Sequence, residues 1–532
     1  MSSRITYTNA RIFDGRRLLP DLSFTVADGR IAAIGGPIAA SDQMRNLEGR
    51  FVLPGLLDIH MHAEELALAE EQLVLLPPAV QSIDDIKDLV AERCRTLAPG
   101  EWIIGLGFDE GKLQERRAPD RHDLDPVSPD NPVFLSRACG HVGTVNSVVL
   151  RALGMGRHTP DPAGGVLDRD ADGEPTGVLR ERATEPVYHL MPELSADEMG
   201  ARLTRLAPRL LAHGITAVSE LTARYVPDQP GRDSAALFHA ARRDGFPLPV
   251  SLFYVWDQIK RNPKRPRPVG PFEDGVYLGG IKMLADGSIT GRTAWVDPPF
   301  EPHANRSGDG GLALLSPAEL LEAADVAASW GVQLAVHAIG NCAIEQVVST
   351  LAPVRPWLSD RPSIRVEHGA LATPTLLDTA RRAGMAFVMQ PIFLYAEIES
   401  FLTHLGEERT RSQYPVRTAL ETGVAVGLSS DAPATAWADP ANPWLGLYQA
   451  TTRRTHDGRT FGPNQRIDLM TALRLYTADA ATIGGFPGGA IKTGAPADFV
   501  VLDTDIFRNP DTLRNVRVKA TVVGGRVLYG HL

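Results

Sequence analysis

The feature that most constrains this chain is a rhythm of short, nearly unbroken apolar runs separated by helix-patterned stretches. The runs are Phe51–His60 (FVLPGLLDIH), Ile215–Glu220 (ITAVSE), Val250–Val255 (VSLFYV) and Val276–Leu284 (VYLGGIKML), then Val332–His337 (VQLAVH), Ile364–His368 (IRVEH), Ala386–Gln390 (AFVMQ) and Val424–Ser429 (VAVGLS). A strand that is apolar at successive positions is buried on both faces, as in a parallel sheet covered by helices. Intervening stretches such as SPAELLEAADVAASWG and TPTLLDTARRAG open with Ser or Thr before Pro and close on Gly, which is helix start and stop chemistry. Eight such alternations predict an α/β fold: a closed (β/α)₈ barrel of the TIM type.

A barrel needs about 250 residues, and the chain has 532. Both ends read as short strands around tight turns: ITYTNARIF, LSFTVADGRIAAIGG and NLEGRFVL at the start, GGAIKTG, ADFVVLD and VKATVVGGRVLYG at the finish. The expected organisation is a β-sandwich domain built from residues 1–50 and 481–532, barrel strand one at 51–62, and the rest of the barrel at 214–480. Residues 63–213 are then an inserted α+β subdomain after strand one, over the face where barrel active sites lie. Within it, Asp168, Asp170, Asp172 and Gly173 imitate the start of a calcium loop. The twelfth position is Leu179 rather than the bidentate Glu such a loop needs, so the segment reads as a hairpin with an Asp-Gly turn.

The formal net charge is −10, which gives no electrostatic footprint for nucleic acid. One local exception is the group Lys260, Arg261, Lys264, Arg265 and Arg267, either a solvated loop or a rim that attracts an anion. Cys94, Cys139 and Cys342 are odd in number and widely spaced, which excludes a disulfide framework and fits a reducing compartment. The first residues lack a signal-peptide apolar region, and no apolar run reaches the ~20 residues of a membrane span. A cytoplasmic protein acting on a small molecule is expected, with no nucleic-acid or membrane partner and a homodimer as the commonest assembly.

The chemistry sits where the runs end. His60 and His62 end the first, Lys282 lies in the fourth, His337 and His368 end the fifth and sixth, and Asp431 follows the eighth. In a parallel barrel these ends converge on one rim. Imidazole and carboxylate are ligands for zinc and related divalent ions, and residues two apart on a strand point to the same side. Each residue has a plainer reading alone: Asp431 as a helix cap, Lys282 as an ion-pair partner, a lone His as a satisfied polar group. Together they predict a metal site.

The sequence resembles the amidohydrolase superfamily and, within it, the YtcJ-like (amidohydrolase-3) group, which includes N-substituted formamide deformylases. The resemblance rests on VLPGLLDIHMH, GFDEGKL (Gly107–Leu113), PVFLSRACGHVGTVNS (Pro132–Ser147), PDPAGGVLDRDADGEPTGVLRE (Pro160–Glu181), GIKMLADGSITGRTA (Gly280–Ala294), AVHAIGN, RVEHG, GLSSDAP and GAPADFVVLD. It implies one or two divalent ions, usually zinc. His60, His62 and Asp431 would bind the more buried ion, His337 and His368 the more exposed one, and a carbamylated Lys282 would bridge them. It further implies hydrolysis of a non-peptide C–N bond (amide, formamide or cyclic amide) by a metal-activated water. Asp431 would relay the proton, and His141 is a candidate to stabilise the oxyanion. Asp286, Arg292 and Trp295 after strand four, and Gln390 after strand seven, are expected substrate contacts, with bracing of the loop the alternative for Asp286 and Arg292. Trp256, Phe300, Phe393, Tyr395 and Trp437 also lie near strand ends and are candidates to line an apolar pocket. The rival readings are a carbon–carbon lyase or isomerase on the same scaffold, and a noncatalytic scaffold. A serine hydrolase is disfavoured, since no G-x-S-x-G occurs.

Overall fold

A computed structural model describes residues 4–36, 43–77, 79–192, 194–226, 233–262, 264, 275–302, 309–437 and 439–532. Its center is an eight-stranded parallel sheet. The strands are, in order, Leu56–Met61, Ile215–Ala223, Val250–Val255, Val276–Leu284, Gln333–Ala338, Ile364–His368, Ala386–Met389 and Ala425–Leu428. They are called strands one to eight below. Each pairs with its neighbour in chain order.

The seam between strands eight and one is closed by the residues that follow strand eight. The Ser430 N–H donates to the Asp58 carboxylate at 3.2 Å. The Asp431 N–H donates to the His60 carbonyl and the His62 N–H to the Ala432 carbonyl, both at 2.8 Å. Closure of the barrel and placement of the candidate ligands are therefore one event.

The surrounding helices follow their local signals. Pro317–Trp330 begins with Ser316 and Glu319 in a reciprocal capping box, carries Pro at its first position and ends on Gly331 at φ 69°. Ala196–Ala212 is boxed likewise by Ser195 and Glu198, and its buried Leu203, Leu206 and Leu210 join the main core with Leu252 and Leu334. Truncating such a leucine to alanine costs about 2–5 kcal/mol.

The first apolar run is not one strand. Phe51–Pro54 pairs with Phe499–Leu502 and with Ile5–Phe13 in the terminal sheet, and barrel strand one begins at Leu56. Gly55 is the crossing point, where a Cβ would lie 2.1 Å from Thr216 Oγ1. Both halves are buried, so hydrophobicity alone could not divide them.

The strands of the two termini are hydrogen-bonded into one eight-stranded sheet. It curls: Phe24 and Phe499 sit three strand spacings apart along the sheet, about 14 Å if flat, yet their ring centroids are 5.1 Å apart. The Arg30–Pro496 bridge helps close the curl. GGAIKTG is not a strand, although Ile491 is buried in this core.

The inserted sheet orders its strands as Gly165–Arg169, Pro175–Glu181, Val142–Val145, Val133–Arg137, Ile103–Phe108 and Leu73–Val74. It has its own core around Ile86, Phe108 and Leu135. At the two expected limits of the insertion, helices Ala63–Ala69 and Ala196–Ala212 contribute buried side chains to the main core. The hairpin replaces the calcium-loop pattern, with Asp170 accepting from the N–H groups of Asp172 and Glu174.

Of the basic group, Lys260 pairs with Asp257 at 2.8 Å, and Arg265 and Arg267 lie outside the described residues. The three cysteines are free thiols. No described helix is long and apolar enough to cross a membrane.

Candidate metal centre

Strand one is extended to its last residues, so His60 and His62 project to the same side. The chain bends sharply after strands six and eight, where His368 and Asp431 take positive φ angles of 69° and 59°. Left-handed backbone at non-glycine residues is strained and clusters at functional sites. Asp431 Oδ1 lies 3.0 Å from His60 Nε2 and 2.8 Å from His62 Nε2. Its other oxygen is 4.0 Å from His368 Nε2. Lys282 Nζ is 3.3 Å from His60 Nε2. The rings of His337 and His368 stand 4.5 Å apart. The geometry therefore brings all six predicted metal residues to one place.

Neighbouring groups fix which nitrogen faces the cluster. His60 Nδ1 meets Glu367 Oε2 at 2.6 Å, and Arg365 holds the other carboxylate oxygen at 2.8 Å. Burial raises the Glu367 pKa, but Arg365 and His60 outweigh it and hold the group at about 2. An ionised Glu367 accepts a hydrogen bond from His60 Nδ1–H and leaves Nε2 toward Asp431. His337 Nε2 donates to the Gly287 carbonyl at 3.0 Å, so its Nδ1 carries the lone pair. Burial alone pushes Asp431 upward, yet His60 and His62 hold it well below the carboxylate range. Burial lowers the Lys282 ammonium to about 8, against the upward pull of Glu367 and Asp431. Burial also keeps His337 and His368 well below the ordinary imidazole value.

This donor set suits a divalent cation. One donor atom each from His60, His62 and Asp431 lies within 4.8 Å of the others, a compact N,N,O group of the kind zinc takes. His368 turns its Nε2 toward Asp431, and its Nδ1 is buried without a hydrogen-bond partner.

The cluster lies between two cavities. The larger, about 250 Å³, is lined by the apolar side chains of Val255, Trp256, Met283, Leu314 and Leu315 together with His141, Glu181, Arg182 and Asp257. The smaller, about 30 Å³, is bounded by Ile339, Phe393, Phe401 and Tyr414. His141, Cys139, His337, His368 and Asp431 line both. The model of the amidohydrolase family (Amidohydro_3) matches residues 43–529.

The chain belongs to the amidohydrolase family.

YtcJ of Bacillus subtilis (strain 168) is 30% identical to it over 490 residues, spanning 91% of this chain and 90% of that protein. The N-substituted formamide deformylase of Arthrobacter pascens is 29% identical over 550 residues, spanning 99% of this chain and 98% of that one. Among solved structures, an uncharacterized metal-dependent hydrolase from Pyrococcus horikoshii OT3 superimposes with a TM-score of 0.74 at 23% identity, covering 96% of this chain and 99% of that chain. That likeness bears on the fold.

In this amidohydrolase, the inserted subdomain delivers His141 to the larger cavity. Its Nδ1 donates to Glu181 Oε2 at 2.8 Å. Burial lowers its pKa, but Glu181 prevails and raises it to about 9. The four expected substrate contacts line neither cavity. Asp286 accepts backbone N–H groups from Trp295, Ile339 and Gly340, so its oxygens brace the loop. Arg292 donates to the Glu301 carbonyl and lies over Phe300. Gln390 donates to Ser429 and the Val388 carbonyl in the barrel wall. Trp295 packs against the main core. Of the other aromatics named from sequence, Trp256 and Phe393 line a cavity, whereas Tyr395 and Trp437 pack on each other with ring centroids 5.1 Å apart.

Glu367, Glu181 and Thr222 were not singled out from the sequence. Glu367 directly precedes His368 in RVEHG, and a buried Glu beside a ligand is a readable signal. Glu181 carries a φ of 51° at the end of its strand, which nothing in the sequence announces.

Proposed function

We propose that the protein hydrolyses a non-peptide C–N bond, in an amide, formamide or cyclic amide, at a divalent-cation site with zinc the favoured ion. The observation that carries this reading is the meeting of His60, His62 and Asp431 donor atoms within 4.8 Å at the carboxyl rim of the barrel. His60, His62 and Asp431 would hold one cation, and His337 and His368 a second. Lys282 would join them as a carbamate: its neutral amine adds to CO₂, a C–N bond forms and one proton leaves. Burial of that amine, with its pKa near 8, favours the reactive neutral form.

A cation held there supplies the charge that acidifies water and polarises the scissile carbonyl. Asp431 is held ionised and takes a proton from the attacking water, then passes it to the leaving nitrogen. His141 is oriented by Glu181 so that its Nε2 is left for the oxygen that becomes negative. The larger cavity, with Trp256 and Leu315 on its wall, receives the bulkier part of the substrate. The Arthrobacter pascens relative's name supports formamides as the first substrates to try.

The test is product analysis on a panel of N-benzyl, N-alkyl and cyclic amides and formamides in ¹⁸O-labelled water. The expected result is one carboxyl group carrying one label and one free amino group per turnover, on two products from an open-chain substrate and on a single ring-opened product from a cyclic amide. Carbon–carbon cleavage or an unlabelled isomer would move the assignment to a lyase or isomerase.

A further inference from the structure

Strand two of the barrel contributes no candidate metal ligand, yet it ends against His62. Thr222 Oγ1 lies 3.1 Å from His62 Nδ1 and 3.0 Å from Glu220 Oε1. Glu220 is fully buried. Besides the Thr222 hydroxyl, two backbone donors converge on it: the N–H of Thr222 on Oε1 and that of Glu64 on Oε2, each at 3.0 Å. Three donors on one carboxyl group leave it in the role of acceptor.

A hydroxyl has a single proton. If Glu220 takes that proton, Thr222 faces His62 with a lone pair, and His62 Nδ1 must supply the hydrogen. The nitrogen left to bind a cation is then Nε2, the one 2.8 Å from Asp431 Oδ1. His60 reaches the same state by a different route, through Glu367 and Arg365. The two adjacent ligands on strand one are thus fixed from opposite sides of the barrel, one by strand six and one by strand two.

We propose that Thr222 and Glu220 are positioning residues, a buried Glu–Thr–His chain that sets the tautomer and ring orientation of His62 and so the affinity of the His60–His62–Asp431 site for a divalent cation. This rests on the metal-site reading above. Partners of this kind are worth about 10–100-fold in metal affinity elsewhere.

The test needs no substrate. Metal-free full-length protein is titrated with Co²⁺, followed by its visible absorption and by calorimetry, in wild type and in Thr222→Val, Thr222→Ser and Glu220→Gln. Thr222 borders the larger cavity, and Thr222→Val keeps its shape while removing the hydroxyl. The expected result is a loss of about 10–100-fold in Co²⁺ affinity with Thr222→Val. Thr222→Ser should bind within about threefold of wild type, with the wild-type spectrum, because it keeps the hydroxyl. Glu220→Gln should weaken binding in the same direction, an independent check should Thr222→Val fold poorly. Wild-type affinity in both Thr222→Val and Glu220→Gln would overturn this inference alone. Equal losses in Thr222→Val and Thr222→Ser would also overturn it, since the hydroxyl would then not be the cause. No Co²⁺ uptake by wild type would overturn it together with the metal-site reading.

Discussion

His62 Nε2 and Asp431 Oδ1 lie 2.8 Å apart although 369 residues separate them in the chain. One ends strand one and the other follows strand eight, so their contact exists only when the barrel is closed. The Asp431 N–H bonded to the His60 carbonyl at 2.8 Å closes the same seam. The part of the fold that closes the barrel is therefore the part that carries the proposed chemistry.

Asp431→Asn keeps the size of the side chain and removes its capacity to take a proton. The expected outcome is a fall in kcat of about 10²–10⁴-fold on any accepted amide, with little change in circular dichroism. A variant with wild-type turnover would remove Asp431 from the proton-transfer role.

Lys282→Met replaces a buried amine with an apolar chain of similar length. In the proposed arrangement it removes the bridge between two cations. The ion at His337 and His368 should be lost while that at His60, His62 and Asp431 is kept, read as a drop from about two metal ions per chain to about one. Wild-type activity should also fall when CO₂ and bicarbonate are stripped from the buffer during metal loading.

The eight strands were legible because each is buried on both faces, and seven of the eight runs match barrel strands to within a few residues. The clustering of the candidate metal residues was legible for a related reason: a barrel fixes where strand ends go, so the sequence alone brings His337 and His368 to the same rim as His60 and His62. Three things were not legible. The break at Gly55 lies inside one apolar run, and both halves are equally hydrophobic. The supports of the ligands, Glu220 with Thr222 and Glu367 with Arg365, depend on side-chain direction and proton placement, which periodicity does not carry. Asp286, Arg292, Trp295 and Gln390 sit near strand ends in sequence, but Asp286 accepts from the Trp295 N–H, Arg292 donates to the Glu301 carbonyl and Gln390 donates to Ser429, away from both cavities.

The crossing at Gly55 has a direct consequence. Gly55→Ala forces a Cβ to within 2.1 Å of Thr216 Oγ1, so strand two or the terminal sheet must shift. A loss of about 1–3 kcal/mol in unfolding free energy is expected, by urea denaturation. Gly156→Ala, where no atom lies within 4 Å of the added carbon, serves as the neutral comparison.

Glu399 joins the insertion to the barrel through Lys112 at 2.7 Å and His456 at 2.7 Å. Burial raises its pKa, but His456 and Lys112 prevail and hold it at about 2, below the ordinary 4.5. A carboxyl with a depressed folded-state pKa adds stability that is present above its unfolded value and lost as pH falls toward the folded one. Glu399→Gln should therefore lower the melting temperature at pH 7, and the gap should shrink as pH drops from about 4.5 to about 2. A gap that does not change over that window would assign the loss to packing instead of charge.

Whether the rim of the barrel holds a metal site is decided by the divalent metal content per chain, measured by elemental analysis on untagged protein purified without chelators, in wild type and in His62→Ala. About one to two ions per wild-type chain are expected, with loss of the ion at His60, His62 and Asp431 in His62→Ala. Wild-type protein that carries none, and takes up none when zinc or manganese is added with bicarbonate, would contradict a metal site there.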